Sequence, residues 1–308
     1  MGPHWGAAAG TSAVCGRNTK RNCPLLCFTL SLVFARCARM SHHHQLQLQR
    51  FELKYIVSPQ TALQVRQFVQ SYLELDEYGA DKPDGSYAIH SLYLDSDRLS
   101  FFWHTINGNK NRFKLRLRFY NADPHAPVFF EIKRREADII RKQRAAVRRD
   151  VAASLLVGQL PHADDLWKPD AKSLACLHEF CQLMQQFEAR PTARVSYLRE
   201  AWVSPESDDL RVTIDRQVRC WPQTTEELRT ETPDVPLVFG EKPVVEIKFT
   251  CRYPDWLRDM VHALGMTRGS AAKYVDGIQV FGQTHFVRQP GGFTERRHPH
   301  ERMDALHR

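Results

Sequence analysis

The sequence lacks any apolar run long enough to cross a membrane, since a spanning helix needs about 20 such residues and the run at residues 24–35 is much shorter. It also lacks CxxC spacing among Cys176, Cys181, Cys220 and Cys251, which we therefore expect to be reduced core thiols rather than zinc ligands or disulfides. No period of 20–50 residues repeats. We expect a cytoplasmic, globular protein of one large domain or two small ones.

An excess of acidic residues is absent as well. The 308 residues include 43 Lys and Arg against 35 Asp and Glu, for a net charge of +8. A basic protein invites a nucleic-acid interpretation. However, residues 1–40 carry five basic and no acidic side chains, and residues 288–308 carry five basic and three acidic ones. The remainder, residues 41–287, has a net charge of only +1, which argues against nucleic acid as the partner.

These differences in composition divide the chain into a leader at residues 1–40, a domain at 41–287 and a tail at 288–308. The leader places two basic residues before its short apolar run, as a secretory signal does, but two arginines crowd the expected cleavage region. The alternative is that Met40 is the true start and that the leader is not part of the native protein. We expect leader and tail to be poorly ordered.

Strand-like alternation recurs along the domain, and helical periodicity lies between groups of strands. Helices are predicted at residues 59–75, 171–189 and 254–264, among others, and a short strand is predicted at 237–239. This order favours an α+β fold, in which an antiparallel barrel or sandwich carries inserted and flanking helices.

The most informative strand has the sequence RFKLRLRF, at residues 112–119. Alternate side chains of a strand point to opposite faces. One face is therefore apolar, and the other carries four cations: Arg112, Lys114, Arg116 and Arg118. A solvated outer face is the ordinary interpretation of alternating charge, but four like charges in a row repel one another unless anions lie opposite them.

Glu-x-Lys recurs in three other apolar strands, as Glu52-x-Lys54, Glu131-x-Lys133 and Glu246-x-Lys248. If these faces line the inside of a barrel, the lumen holds many cations and a few carboxylates, which is costly without a polyanion or water to occupy it. A string of phosphates suits Arg and Lys. Carboxylates among the cations suit a divalent metal that bridges phosphate oxygens.

The motifs FELKY, SLYLDS, NGNKNRFKLRLRFY, FFEIKRR, VVEIKF and AAKY, with the pair Tyr197-x-Arg199 and the RVTID run at 211–215, resemble one known family. It is the VTC (vacuolar transporter chaperone) domain, the polyphosphate-polymerase branch of the triphosphate tunnel metalloenzymes, which are related to CYTH proteins. The resemblance extends over residues 49–282. It implies an eight-stranded antiparallel β-barrel, the triphosphate tunnel, that transfers the γ-phosphate of ATP to a growing polyphosphate chain with Mn²⁺ or Mg²⁺.

Carried over residue by residue, the resemblance implies a set of catalytic cations: Lys54, Arg116, Arg118, Lys133, Arg199, Arg211 and Lys273. Arg194 competes with Arg199 for its place. Glu246 is the implied metal ligand, and Glu131 is a second candidate. The further cations expected to bind the cofactor are Arg112, Lys114, Lys142, Arg144 and Lys248.

The sequence departs from the family at two points. Ala271-Ala272 precede Lys273 where the family tends to show Ser-Lys-Tyr, although Tyr274 is kept. No SPX-like regulatory region or membrane-spanning tail is evident, so we expect a stand-alone catalytic domain. Because a fold does not fix a reaction, a CYTH-type triphosphatase and a non-catalytic polyphosphate-binding module remain alternatives. Membrane association and oligomeric state stay open.

Overall fold

The computed structural model describes residues 50–137, 139–206, 209–250 and 252–288. The predicted leader lies outside these residues, as does the predicted tail after Arg288. The strands are β1 (Arg50–Ile56), β2 (Glu74–Leu75), β3 (Ser86–Asp95), β4 (Asn111–Phe119), β5 (Val128–Glu136), β6 (Ile139–Val147), β7 (Arg190–Val203), β8 (Leu210–Pro222) and β9 (Val244–Thr250). The α-helices are α1 (Pro59–Val69), α2 (Ser100–Ile106), α3 (Ala152–Leu156), α4 (Ala171–Gln186), α5 (Asp255–Ala263) and α6 (Lys273–Phe281).

Eight of the strands form one antiparallel sheet in the order β1-β9-β8-β7-β3-β4-β5-β6, and the short β2 pairs with β7. The predicted α+β class is confirmed, but the predicted closed barrel is not formed. Within the described residues no ladder joins β1 to β6, so the sheet is open along what we call the β1–β6 seam. Alternation sets which face a side chain takes, but it does not determine whether two edge strands meet.

The sheet is nevertheless strongly curled. The Nζ of Lys133 on β5 lies 3.4 Å from Oε2 of Glu52 on β1, although these strands are far apart in the strand order. The curl creates an inner, concave face on which the charged side chains converge, and an outer face that carries most of the apolar core.

Helices cover the outer face with two apolar clusters. Leu177 and Phe180 of α4 pack on β4, β5 and β6, where Phe180 meets Phe130 edge to face at 4.9 Å. Helices α1 and α5 pack on β1, β8 and β9. Each fully buried large apolar side chain contributes about 1.5–3 kcal/mol to stability, so the outer face supplies the rigidity that the charged inner face cannot.

Helix α6 lies against the inner face instead. Its Tyr274, Val275 and Ile278 form a third cluster with residues of β3, β7 and β8. Gly277 permits this close approach, because a Cβ at that position would lie 2.3 Å from Cβ of Cys220. The helix therefore closes part of one end of the concave space.

Two predicted elements differ from the structure. The helix predicted at 59–75 ends at Val69, because Glu74 and Leu75 pair with Val203 and Trp202 as β2. The strand predicted at 237–239 is wrong too: Leu237 forms a single bridge to Arg219. Long-range pairing decides both cases, and local periodicity does not report it.

The cysteine prediction is confirmed for Cys176, Cys181 and Cys220, which are free and buried. Burial raises the pKa of Cys176 and of Cys181 to about 11. Cys251 lies outside the described residues. Within the described part of the chain, no helix combines the length and the apolar character needed to span a membrane.

Candidate functional site

The concave face encloses a cavity of about 420 Å³. Every predicted site residue lines it except Arg112 and Glu131. The cavity-lining cations are Lys54, Lys114, Arg116, Arg118, Lys133, Lys142, Arg144, Arg199, Arg211, Lys248 and Lys273. Among the described residues, the carboxylates in this lining are Glu52 and Glu246. The cavity thus gathers far more positive than negative charge, although the predicted domain as a whole is nearly neutral.

Strand register explains why these side chains converge. Residues directly opposite each other in an antiparallel ladder share a face. Lys54 lies opposite Glu246, and Arg116 lies between Tyr93 on one side and Glu131 on the other. The period of two within each strand and the register between strands therefore place the predicted cations on one surface.

Glu246 is the anionic centre of one wall. Its Oε1 lies 2.8 Å from Nζ of Lys273, and its Oε2 lies 2.9 Å from Nζ of Lys248. Lys54 and Arg199 stand slightly farther away, at 3.8 and 3.9 Å. Burial alone would raise the pKa of Glu246, but the surrounding lysines and Arg199 outweigh it and hold the pKa well below its usual value. Glu246 is therefore ionised at neutral pH.

Asp215 lies behind this wall and is a functional candidate that the sequence analysis did not select. Arg199 donates to both of its oxygens, through Nε and Nη2, each at 2.7 Å. Lys273 lies 2.7 Å from Oδ2 of Asp215 and so bridges Asp215 and Glu246. Burial opposes ionisation, but Arg199 and Lys273 outweigh it and lower the pKa of Asp215. The fixed carboxylate orients both cations towards the cavity.

Glu131 shares the inner face, opposite Arg116, but is not part of the cavity lining. It is fully buried beneath the cavity lining. Arg116 donates to Oε2 at 2.7 Å, and Arg144 and Lys142 reach Oε1 at 2.6 and 2.8 Å. Burial raises its pKa, but these cations and Arg118 outweigh burial and lower it strongly. These contacts make Glu131 a counter-ion that positions cations, and they lend its predicted metal role no support.

Lys114 has no ion-pair partner within the described part of the chain. It lies opposite Lys133 in the ladder, and its Nζ lies 5.9 Å from the ring centroid of Tyr274. Burial, followed by repulsion from Lys133, Lys54, Arg112 and Arg116, lowers the pKa of Lys114 to about 7. Such a poorly compensated cation is stabilised by an incoming anion.

Arg118 also has hydrogen-bond donors that are not fully used within the described residues. Its Nη2 donates to Tyr197 Oη at 3.5 Å, and its buried Nε has no hydrogen-bond partner among the described residues. Buried donors without partners are destabilising. Arg118 is therefore able to donate to a phosphate oxygen without giving up an ion pair in the described structure.

Tyrosines that were not among the predicted site residues line one mouth of the cavity. Arg211 contacts Asp76 Oδ2 at 2.6 Å, and Tyr87 donates to the same oxygen at 2.7 Å. Tyr78, on the loop after β2, stacks on Tyr120 at 5.3 Å. Tyr87 shares the face of Arg199 through the register of β3 and β7, which no pattern within either strand reports, and nothing local indicated Tyr78.

The fold places Arg194 and Arg199 on opposite faces of β7. Arg199 faces the cavity, as preferred. Arg194 lies on the outer face, where it packs 4.5 Å from the ring centroid of Phe119 and donates to Gln223 Oε1 at 3.1 Å. Arg112, near the start of β4, lies outside the cavity and donates to the backbone oxygen of Asn109.

The acidic residues fit a divalent metal only in a restricted way. No group of three or more His, Cys, Asp or Glu ligands is assembled within the described residues. Mg²⁺ often binds proteins through one or two carboxylates and takes its other ligands from water and substrate phosphates. Glu246 on the cavity lining offers one such carboxylate, whereas both oxygens of Asp215 are held by Arg199 and Lys273. The site therefore fits a metal that arrives with phosphate rather than one held by a protein cage.

The fold and the site together define an α+β protein with a curled antiparallel sheet around a cationic cavity. The family model of the VTC domain matches residues 49–282. The chain therefore belongs to the VTC domain family, as the motifs indicated. No curated protein was found to match the chain.

Proposed function

We propose that the protein is a polyphosphate polymerase, an ATP–polyphosphate phosphotransferase that moves the γ-phosphate of ATP to the end of a polyphosphate chain. The observation that carries this proposal is the cavity itself, in which eleven cations face two carboxylates. Arg forks and Lys ammonium groups neutralise phosphate charge. Membership of the VTC domain family supports the same assignment.

The two carboxylates of the cavity lining are poor general bases for an attacking water, which supports transfer to phosphate. A general base works best with a pKa near the operating pH. The pKa of Glu52 is lowered to about 2, because Lys133, Lys248 and Lys54 outweigh its burial, and that of Glu246 is also low. The terminal phosphate of a chain is already an anionic nucleophile and needs no base. Positioning and charge neutralisation then supply most of the catalysis.

In this proposal Arg199 and Lys273 hold the transferred phosphoryl group, because Asp215 fixes both of them. Arg116 and Arg118 bind the neighbouring phosphates from the opposite wall. Glu246 is the residue that would hold Mn²⁺ or Mg²⁺, and such a metal would add positive charge between phosphate oxygens.

The direct test is to incubate the full-length protein with ATP and Mn²⁺ and to resolve the products on a polyacrylamide gel. Long polyphosphate is the expected product. Glu246→Gln should remove metal-dependent turnover, whereas the control Glu241→Gln, which alters an exposed carboxylate outside the cavity, should behave as wild type. Thermal melting of each variant separates loss of function from loss of fold.

Two other outcomes of this assay would identify a different function. Free phosphate without polymer would identify a triphosphatase and overturn the polymerase proposal. Tight polyphosphate binding without turnover in Mn²⁺ or Mg²⁺ would identify a non-catalytic binding module.

A further inference from the structure

The start of α6 covers much of one end of the cavity. Residues 271–274 contact six strands in succession, from β1 round to β4. These contacts are Lys54 to Ala271 O, Lys273 to Glu246, Asp215 and Tyr197, and Tyr274 to Asp95, Tyr93 and Lys114. Strands β5 and β6 lie beyond this span, next to the β1–β6 seam.

The edges that flank the seam are only partly covered. On β1, Tyr55 bridges to Arg268 and Lys54 O accepts from Gly269 N, which leaves residues 50–53 as the uncovered part of the edge. On β6, Val147 bridges to Leu166 and Ala146 O accepts from Trp167 N, which leaves residues 139–145. Within the described residues, these two uncovered stretches of strand edge form the lips of the seam.

The cavity extends to both lips. Phe51 on β1 and Ile140 on β6 line it, and they are 42% and 41% exposed. The ion pair described between the β1 side and the β5–β6 side joins Glu52 Oε2 to Lys133 Nζ at 3.4 Å. That distance exceeds the 2.7–2.9 Å typical of strong charge-assisted bonds. Within the described residues, a long ion pair therefore spans the seam at this point and no backbone pairing closes it.

Phosphoryl transfer needs the attacking and leaving oxygens roughly in line. Two polyanions must therefore meet in the cavity from different directions. The tyrosine-lined mouth offers one route, and α6 covers much of the opposite end. The seam offers a second route, and Lys133 and Lys142 lie beside it on the cavity lining.

We propose that polyphosphate enters this cavity sideways through the β1–β6 seam, so that the protein binds interior segments of a chain and does not require a free end to thread. Lys133 exchanges Glu52 for a phosphate oxygen as the chain enters. This inference rests on the proposed function, because it assumes that polyphosphate is the ligand of the cavity.

The test compares three polyphosphate probes of about 100 phosphates, a length far greater than the cavity can hold. The first probe has two free ends. The second has one end joined to a bulky polyethylene glycol, and the third has both ends joined to it. The affinity of the full-length protein for each probe is measured by calorimetry. Sideways entry predicts that all three bind within about threefold of one another. Threading predicts that the first two bind and that the doubly blocked probe loses at least about 30-fold.

Two variants show whether the doubly blocked probe occupies the cavity. Lys133→Ala should weaken its binding about tenfold, the loss of one charge-assisted contact. Lys172→Ala, which removes an exposed cation on α4, should leave binding unchanged. Binding of the doubly blocked probe that Lys133→Ala does not weaken would place the probe elsewhere and overturn the inference. Failure of the free-ended probe to bind would overturn the proposed function as well.

Discussion

Lys114 should make the proposed binding of ATP dependent on pH, in a direction that follows from its surroundings. Without an anion its pKa is about 7, because it is buried and lies near Lys133, Lys54, Arg112 and Arg116. A bound triphosphate replaces that repulsion with attraction and raises the pKa. Binding therefore takes up a proton at pH values above 7, and affinity must fall as pH rises.

The magnitude follows from the linkage relation. If the pKa of Lys114 rises from about 7 to about 10 on binding, affinity falls about 50-fold between pH 7.5 and pH 9.5. In that interval the phosphates of ATP, with a second pKa near 6, are already ionised. The carboxylates are ionised as well. The decline is then assigned to a cation of the protein.

Calorimetry in buffers of different ionisation enthalpy counts the protons taken up. Lys114→Arg keeps the positive charge at all these pH values and should bind with about one proton less and a flatter pH profile. Burial also lowers the pKa of Lys142 to about 7, but its Nζ lies 2.8 Å from Glu131 and its side chain is 42% exposed, so we expect its effect to be smaller. Lys142→Arg is the matched control. Equal proton uptake by wild type and Lys114→Arg would refute the reasoning.

Three further variants probe other parts of the structure. Glu131→Gln should lower the free energy of unfolding by about 3–5 kcal/mol in urea titrations, because it removes the anion from a buried ion pair. Asp215→Asn should lower kcat more than it raises KM in the polymerase assay, because Arg199 and Lys273 lose their orientation. Arg194→Met should leave kcat unchanged. It should lower the free energy of unfolding by about 1–3 kcal/mol in the same titrations, because the acceptor on Gln223 is left unpaired. A large fall in kcat would instead connect Arg194 to the site.

Much of the cavity could be predicted from the sequence because its signal is local. Four cations alternate along β4, and the period of two alone assigns them to one face. The same period shows that Arg194 and Arg199, five residues apart on β7, point to opposite faces. Only one of them was able to face the cavity, and the pair Tyr197-x-Arg199 indicated which.

The remaining features depend on contacts between distant parts of the chain. Asp215 is the single acid of β8, and its importance comes from Arg199 on the neighbouring strand and Lys273 on α6. Glu131 and Glu246 share the Glu-x-Lys pattern, yet one lies beneath the lining and the other on it. Barrel closure depends on whether the edges of β1 and β6 meet, and no residue pattern within either strand reports that.

The way in which charge is distributed within the domain, and not its net charge, distinguishes the cavity. The predicted domain carries a net charge of only +1, so acids elsewhere in it nearly offset its cations. Glu52 and Glu246 line the cavity, whereas Asp215 and Glu131 are fully buried outside the lining and hold the cations by ion pairs. An arrangement built only for stability would place carboxylates opposite Lys114 and Arg118, because unpaired buried charge is costly. Among the described residues neither cation has such a carboxylate partner, which is the arrangement expected if the cavity binds a polyanion as proposed.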